Sequence, residues 1–194
     1  ILELYKKAWG TAQIALPRTG FFRTREPRPA KAWSLRKIRR IRKRGCVIGE
    51  NCLISKKAVF GKEPYLIQIG DSVRIEAGVR LVTHDLSAWT IQKMGGMGNA
   101  EVYGPISIGD NTFIGAGSVI MPGISIGRDC VVLENSVVME NLPNGTVAAG
   151  VPARQVDNIE AFARKCWGKC TTDIHKLSPK QKRRTLMREF NLDI

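Results

Sequence analysis

The chain has 194 residues, enough for one domain with extensions, and its 43% apolar content excludes wholesale disorder. No run of about 18 apolar residues occurs, so no bilayer-spanning helix is expected, and residues 1–16 lack the apolar run and small-residue cleavage site of a secretory signal. The net charge of +14 sits at the two ends: residues 18–44 hold twelve Lys/Arg against one acid and residues 164–188 nine against one, whereas 45–163 hold eight against twelve acids.

Residues 1–45 read as a basic extension. TGFFRTREPRP is a Pro-broken loop, and KAWSLRKIRRIRKRG follows as a short basic helix with Trp33, Leu35, Ile38 and Ile41 at near-helical spacing. From residue 46 the pattern changes. Ile48, Ile54 and Phe60, then Ile69, Ile75 and Leu81, then Ile108, Ile114, Ile120, Ile126, Val132 and Val138 recur every six residues. Four residues after most of them stands a small, compact or β-branched side chain, as at Cys52, Ala58, Val73, Val79, Thr112, Ser118, Cys130 and Ser136. Gly directly follows the aliphatic position at Gly109, Gly115 and Gly127, where it is expected to relax the backbone near a corner.

A helix repeats at 3 and 4 and a strand at 2, so a period of six fits neither as one long element. It fits a solenoid of short flat strands, three to a coil, with aliphatic side chains filling a prism. Two steps break the count. Phe60 to Ile69 is nine residues, which implies a three-residue bulge near Lys62–Tyr65, and Leu81 to Ile108 is 27, which implies a 21-residue excursion over about 84–104. The excursion holds the Gly-rich QKMGGMGN, and long corner insertions on a rigid solenoid are where function concentrates. The repeat domain is taken as 46–156. The basic tail 157–194 begins with a helix from DNIEAFARKCWGKC, carrying Ile159, Phe162, Ala163 and Cys166 on one face. A second helix, SPKQKRRTLMREF, has Ser178 as N-cap and Pro179 in its first turn.

Chemistry narrows to few residues. Five cysteines at loose spacings argue against a disulfide framework and for a reducing compartment. Cys166, Cys170 and His175 form a weak metal-like cluster, read as free thiols and a surface histidine, so no metal is expected. His84, the other histidine, sits in RLVTHDLSAW where the coil gives way to the excursion. A histidine at a rigid strand end beside a loop suits proton transfer, and a surface turn residue is the bland alternative.

The segment GPISIGDNTFIGAGSVIMPGISIGRDCVV is similar to the late coils of galactoside, maltose and xenobiotic acetyltransferases, and NLPNGTVAAGVPARQV resembles their terminal turn. THD before a long insertion resembles the polysaccharide O-acetyltransferase branch. The resemblance spans about 46–156 and implies an all-β solenoid, a left-handed parallel β-helix with N- and C-terminal helical extensions. It implies direct acetyl transfer from acetyl-CoA in a ternary complex, with His84 as general base. It further implies a turn amide of Gly115-Ala116-Gly117 as oxyanion donor and Phe113 beside the pantetheine arm. Arg154 of GVPAR stands near the CoA phosphates, with Gly150, Asn135 and Ser136 as further cofactor contacts. Trp89 and Asp85 are expected to contact the acceptor, Asp85 equally as a turn residue. Relatives are trimers with CoA between prisms, so a homotrimer is implied. Leu133-Glu134-Asn135-Ser136 replaces the frequent GAGS, Glu140 replaces a frequent Lys, and Ser55-Lys56-Lys57 replaces the acceptor-binding Asn of the galactoside type.

The leading expectation is an O-acetyltransferase of surface-polysaccharide or glycolipid synthesis, cytoplasmic, with basic ends able to meet the inner membrane face. The basic N-terminal helix is read first as a cap over the open solenoid end, a role compatible with the membrane contact. N-acetylation of an amino-sugar nucleotide would use the same histidine. A non-catalytic scaffold would not need the excursion, and a carbonic-anhydrase-like β-helix would need three metal-binding histidines. The basic ends come with no nucleic-acid motif or aromatic surface, so specific nucleic-acid binding is not expected.

Overall fold

A computed structural model describes residues 32–95, 98, 101–167, 174 and 177–192. The aliphatic side chains at every sixth position point inward and line up on three parallel faces. The first face stacks Val47–Ile48, Ile67–Ile69, Ile106–Ile108 and Ser125–Ile126; the second Leu53–Ile54, Arg74–Ile75, Phe113–Ile114, Val131–Val132 and Thr146–Gly150; the third Val59–Phe60, Arg80–Leu81, Val119–Ile120 and Val137–Val138. Strand partners are 18 residues apart between the late coils, as for Ile114 and Val132 or Ile120 and Val138. They are 21 apart across the first insertion (Phe60 and Leu81) and 39 apart across the second (Leu81 and Ile120). The insertions of three and 21 residues therefore leave the coil register intact.

Ile54, Ile75, Ile114, Ile120, Val132 and Val138 are almost fully buried, and so are the compact residues four places on, Cys52 and Val73 through Ser118 and Ser136. Each buried Ile or Val contributes about 1.5–3 kcal/mol. The corners bend at the third residue after most aliphatic positions, where Asn51, Ser72, Asn111, Asp129 and Asn135 adopt left-handed backbone, as do Gly78, Gly117 and Gly123. The glycines expected to relax the corner have another role. Gly109, Gly115 and Gly127 do not take the left-handed conformation; a Cβ on each would lie 2.6 Å or less from an atom of the next coil. Close approach of stacked backbones, not dihedral freedom, explains glycine there.

Among the described residues no further coil lies beneath the first, and helix α1 (Ala32–Arg42) covers it with Ser34, Ile38 and Ile41 buried. Leu35, expected on the packing face, is 51% exposed. The face is rotated because Ser34 Oγ accepts a 2.8 Å hydrogen bond from Ile54 N–H at the open edge. Arg42 donates to the carbonyls of Ile48 and Gly49, and Arg44 to those of Gly61 and Lys62. Two of the basic residues thus satisfy an exposed strand edge. The side chain of Trp33 and all of residues 1–31, the loop 19–29 included, together with Cys170 and His175 of the suggested metal cluster, lie outside the described residues.

At the far end Thr146–Gly150 joins the second face and folds back antiparallel on Ala153–Asn158. Inside the excursion lies α2 (Ala88–Lys93), and after the hairpin come α3 (Ile159–Trp167) and α4 (Pro179–Glu189). Ser178 and Gln181 form a reciprocal capping box on α4.

Candidate active site

Both insertions leave the prism at the corner between the third and first faces. Because Phe60 pairs with Leu81, the third residue after each, Glu63 and His84, stack one above the other in adjacent coils. The excursion opens as a two-stranded ribbon in which His84 lies opposite Tyr103 and Asp85 opposite Val102. Directly paired residues share a face of a ribbon, and the His84 and Tyr103 rings stack at 4.4 Å with an interplanar angle of 23°.

The His84 side chain is 13% exposed, and carboxylates stand on both sides of it. Its Nδ1 lies 3.9 Å from Glu63 Oε1 and its Nε2 lies 3.7 Å from Glu101 Oε2. Glu63 is buried, and its other oxygen accepts a 2.9 Å hydrogen bond from Thr83 Oγ1, which is itself buried. That bond fixes the carboxylate facing Nδ1. The 3.9 Å separation is longer than a hydrogen bond; in the tautomer that carries its proton on Nδ1, toward Glu63, the lone pair is on Nε2. Nε2 is buried and, among the described residues, has no hydrogen-bond partner. Tyr103 donates its hydroxyl proton to Glu101, and this bond pushes the phenol up to about 12. A groove of about 180 Å³ runs beside the histidine, lined in part by Lys62, Arg80, Thr83 and Leu86.

Asp85 alternates to the opposite side of the ribbon. Its carboxylate accepts from Ser87 N–H at 2.8 Å, a turn contact that holds it below the ordinary carboxylate range. Trp89 on α2 is 60% exposed with Lys93 Nζ 5.7 Å from its ring centre.

The residues expected to hold CoA lie elsewhere. Gly115-Ala116-Gly117 forms the corner between the second and third faces, at the opposite edge of the third face from His84. Gly115 N–H donates to Val132 O and Gly117 N–H to Ala77 O. Among the described residues Ala116 N–H has no partner, so it is the one turn amide available to a ligand. Asn135 stacks on this corner and donates its backbone N–H to Ala116 O at 2.8 Å. Phe113 is half-buried beneath the Arg74 guanidinium. Ser136 points inward, its hydroxyl donating to Leu133 O and accepting from Gly150 N–H. Arg154 is exposed and pairs with Glu140 at 2.8 Å. The chain by itself does not bring His84 and this turn together.

A family model described as the hexapeptide repeat of succinyl-transferase matches residues 45–82 and 105–139, the two runs of coil on either side of the excursion. The chain is 37% identical over 128 residues to Protein CapG of Staphylococcus aureus, an alignment covering 65% of this chain and 73% of that protein. The chain belongs to the hexapeptide-repeat acyltransferases. It is 39% identical over 99 residues to galactoside O-acetyltransferase of Escherichia coli (strain K12), covering 50% of this chain and 46% of that protein. A solved maltose O-acetyltransferase from Clostridium difficile 630 superposes with a TM-score of 0.50 at 25% identity, covering 69% of this chain and 80% of that one. As a hexapeptide-repeat acyltransferase the chain coils left-handed, a hand that the period of six leaves open. Three residues around the histidine were missed in the sequence: Glu63, Glu101 and Tyr103. The signal for Glu63 was present, since both insertions begin three residues after stacked aliphatic positions.

Proposed function

We propose that this chain is an acetyl-CoA-dependent O-acetyltransferase that acetylates a sugar hydroxyl, in surface-polysaccharide or glycolipid synthesis, with His84 as general base. The observation that carries the reading is the state of His84: one nitrogen faces a buried carboxylate and the other is buried, without a partner among the described residues, at the mouth of the excursion. His84 Nε2 takes the acceptor's hydroxyl proton as the oxygen attacks the thioester carbonyl. The C–S bond then breaks, and the imidazolium returns the proton to the departing thiolate. Glu63 acts as a positioning residue through Nδ1, and the contact tightens when the acceptor binds.

Ala116 N–H supplies the oxyanion donor, with Gly115 and Gly117 keeping the turn open to the acetyl end. Phe113, Asn135, Gly150 and the Ser136 backbone line the pantetheine path. Arg154 meets a CoA phosphate after leaving Glu140, and Trp89 contacts the acceptor. The separation of His84 from the turn within one subunit supports a homotrimer in which a neighbouring prism completes each site. A cytoplasmic enzyme suits the CoA donor. Arg36, Arg39, Arg40 and Lys43 remain exposed on and beside α1, free to meet the anionic inner face of a membrane that carries a lipid-linked acceptor.

The test is thiol release from acetyl-CoA against sugar, amino-sugar and lipid-linked acceptors, with mass analysis of the product. Acceptor-dependent release with an ester-labile gain of one acetyl group is the expected result. A product acetylated on nitrogen, or no release alongside no CoA binding, would overturn the reading.

A further inference from the structure

The two carboxylates beside His84 differ in kind. Glu63 is buried and one of its oxygens is committed to Thr83. Glu101 is half exposed, on the returning limb of the excursion, held by the Tyr103 hydroxyl. Its Oε2 lies 3.7 Å from His84 Nε2, too far for a hydrogen bond. With the lone pair on Nε2, two acceptors stand side by side with no donor between them among the described residues. A ligand carrying two adjacent donors resolves that mismatch, and two neighbouring hydroxyls of a sugar ring have the matching reach. The Tyr103 ring, stacked on His84 while its hydroxyl binds Glu101, fixes both acceptors relative to each other.

We infer that Glu101 is a specificity-determining residue that selects acceptors with a second hydroxyl next to the reacting one. His84 Nε2 takes the proton of one hydroxyl while Glu101 accepts a hydrogen bond from its neighbour. This rests on His84 being the base, and it names the acceptor class as a vicinal diol. Half exposure of Glu101 sets the scale: a charge-assisted hydrogen bond that keeps partial access to water discriminates by about 10- to 100-fold.

The experiment compares kcat/KM for acetyl-CoA with methyl glycosides of galactose, glucose and mannose and with their monodeoxy counterparts. Wild type is expected to favour a diol over its deoxy analogue by about 10- to 100-fold. Glu101→Ala should bring that ratio close to one by slowing the diol alone, and Glu101→Gln, which keeps an acceptor oxygen, should recover part of it. A Glu101→Ala enzyme that slows both acceptors equally, as a mere partner of the imidazolium would, overturns the inference. So does wild type failing to turn over any diol glycoside. His84→Ala run in parallel separates the two claims: transfer that persists in it sinks the base assignment, whereas the deoxy ratio reads Glu101 alone.

Discussion

Stacked backbones meet at Gly109, and adding one methyl group there should cost more than any dihedral argument predicts. A Cβ on Gly109 would lie 2.6 Å from Arg128 N and 2.7 Å from Gly127 C, both backbone atoms that cannot swing aside. The neighbouring coil must move, and the 2.8 Å bond from Gly109 N–H to Ile126 O lengthens with it. Overpacking costs about 1–3 kcal/mol and a weakened backbone hydrogen bond about 1 more, so Gly109→Ala should destabilise by about 2–4 kcal/mol. Gly123 is the control. It sits at a corner with φ +81°, and a Cβ there meets nothing within 4 Å. Asn51, Asn111 and Asn135 fill the same corner position with φ between 53° and 57°, so Gly123→Asn should cost less than about 1 kcal/mol. Urea unfolding followed by circular dichroism reads both. Equal losses, or a Gly109→Ala midpoint shift worth under about 0.5 kcal/mol, would refute the close-approach account.

Glu63→Gln keeps the shape at the corner but removes the charge facing Nδ1; kcat should fall by about tenfold or more with acceptor KM little changed, read by steady-state thiol release. The thiols of Cys46, Cys52 and Cys130 are all raised by burial, Cys46 to about 12, so they should resist alkylation in the folded protein at pH 8 and react on unfolding. Their linkage has a definite sign: the folded state holds the proton, so stability is unaffected below the unfolded thiol pKa of about 8.5 and declines as pH rises above it. A urea midpoint that rose between pH 8 and pH 10 would contradict that sign.

The coil was legible because six-residue spacing of inward side chains survives both insertions, and the register offsets of 18, 21 and 39 match the counted steps. The Ser178 cap was legible because the capping chemistry is local. What depended on neighbouring coils was not. Leu35 looked like a packing residue from helical spacing, yet Ser34 took the inward face because an edge amide needed its hydroxyl. Gly109 and Gly115 looked like corner residues because glycine signals dihedral freedom more often than contact across 18 residues. Glu101 and Tyr103 became part of the site only when the ribbon paired Tyr103 with His84, a pairing set by the return of the excursion and not by any period.

The most direct test of the central claim is acetyl transfer by His84→Ala beside wild type, with CoA affinity measured on both. With His84 as the base, transfer to the best acceptor falls by at least ~100-fold while CoA affinity is retained. Transfer within a few-fold of wild type would remove His84 as the base and, with it, the assignment of the excursion corner as the active site.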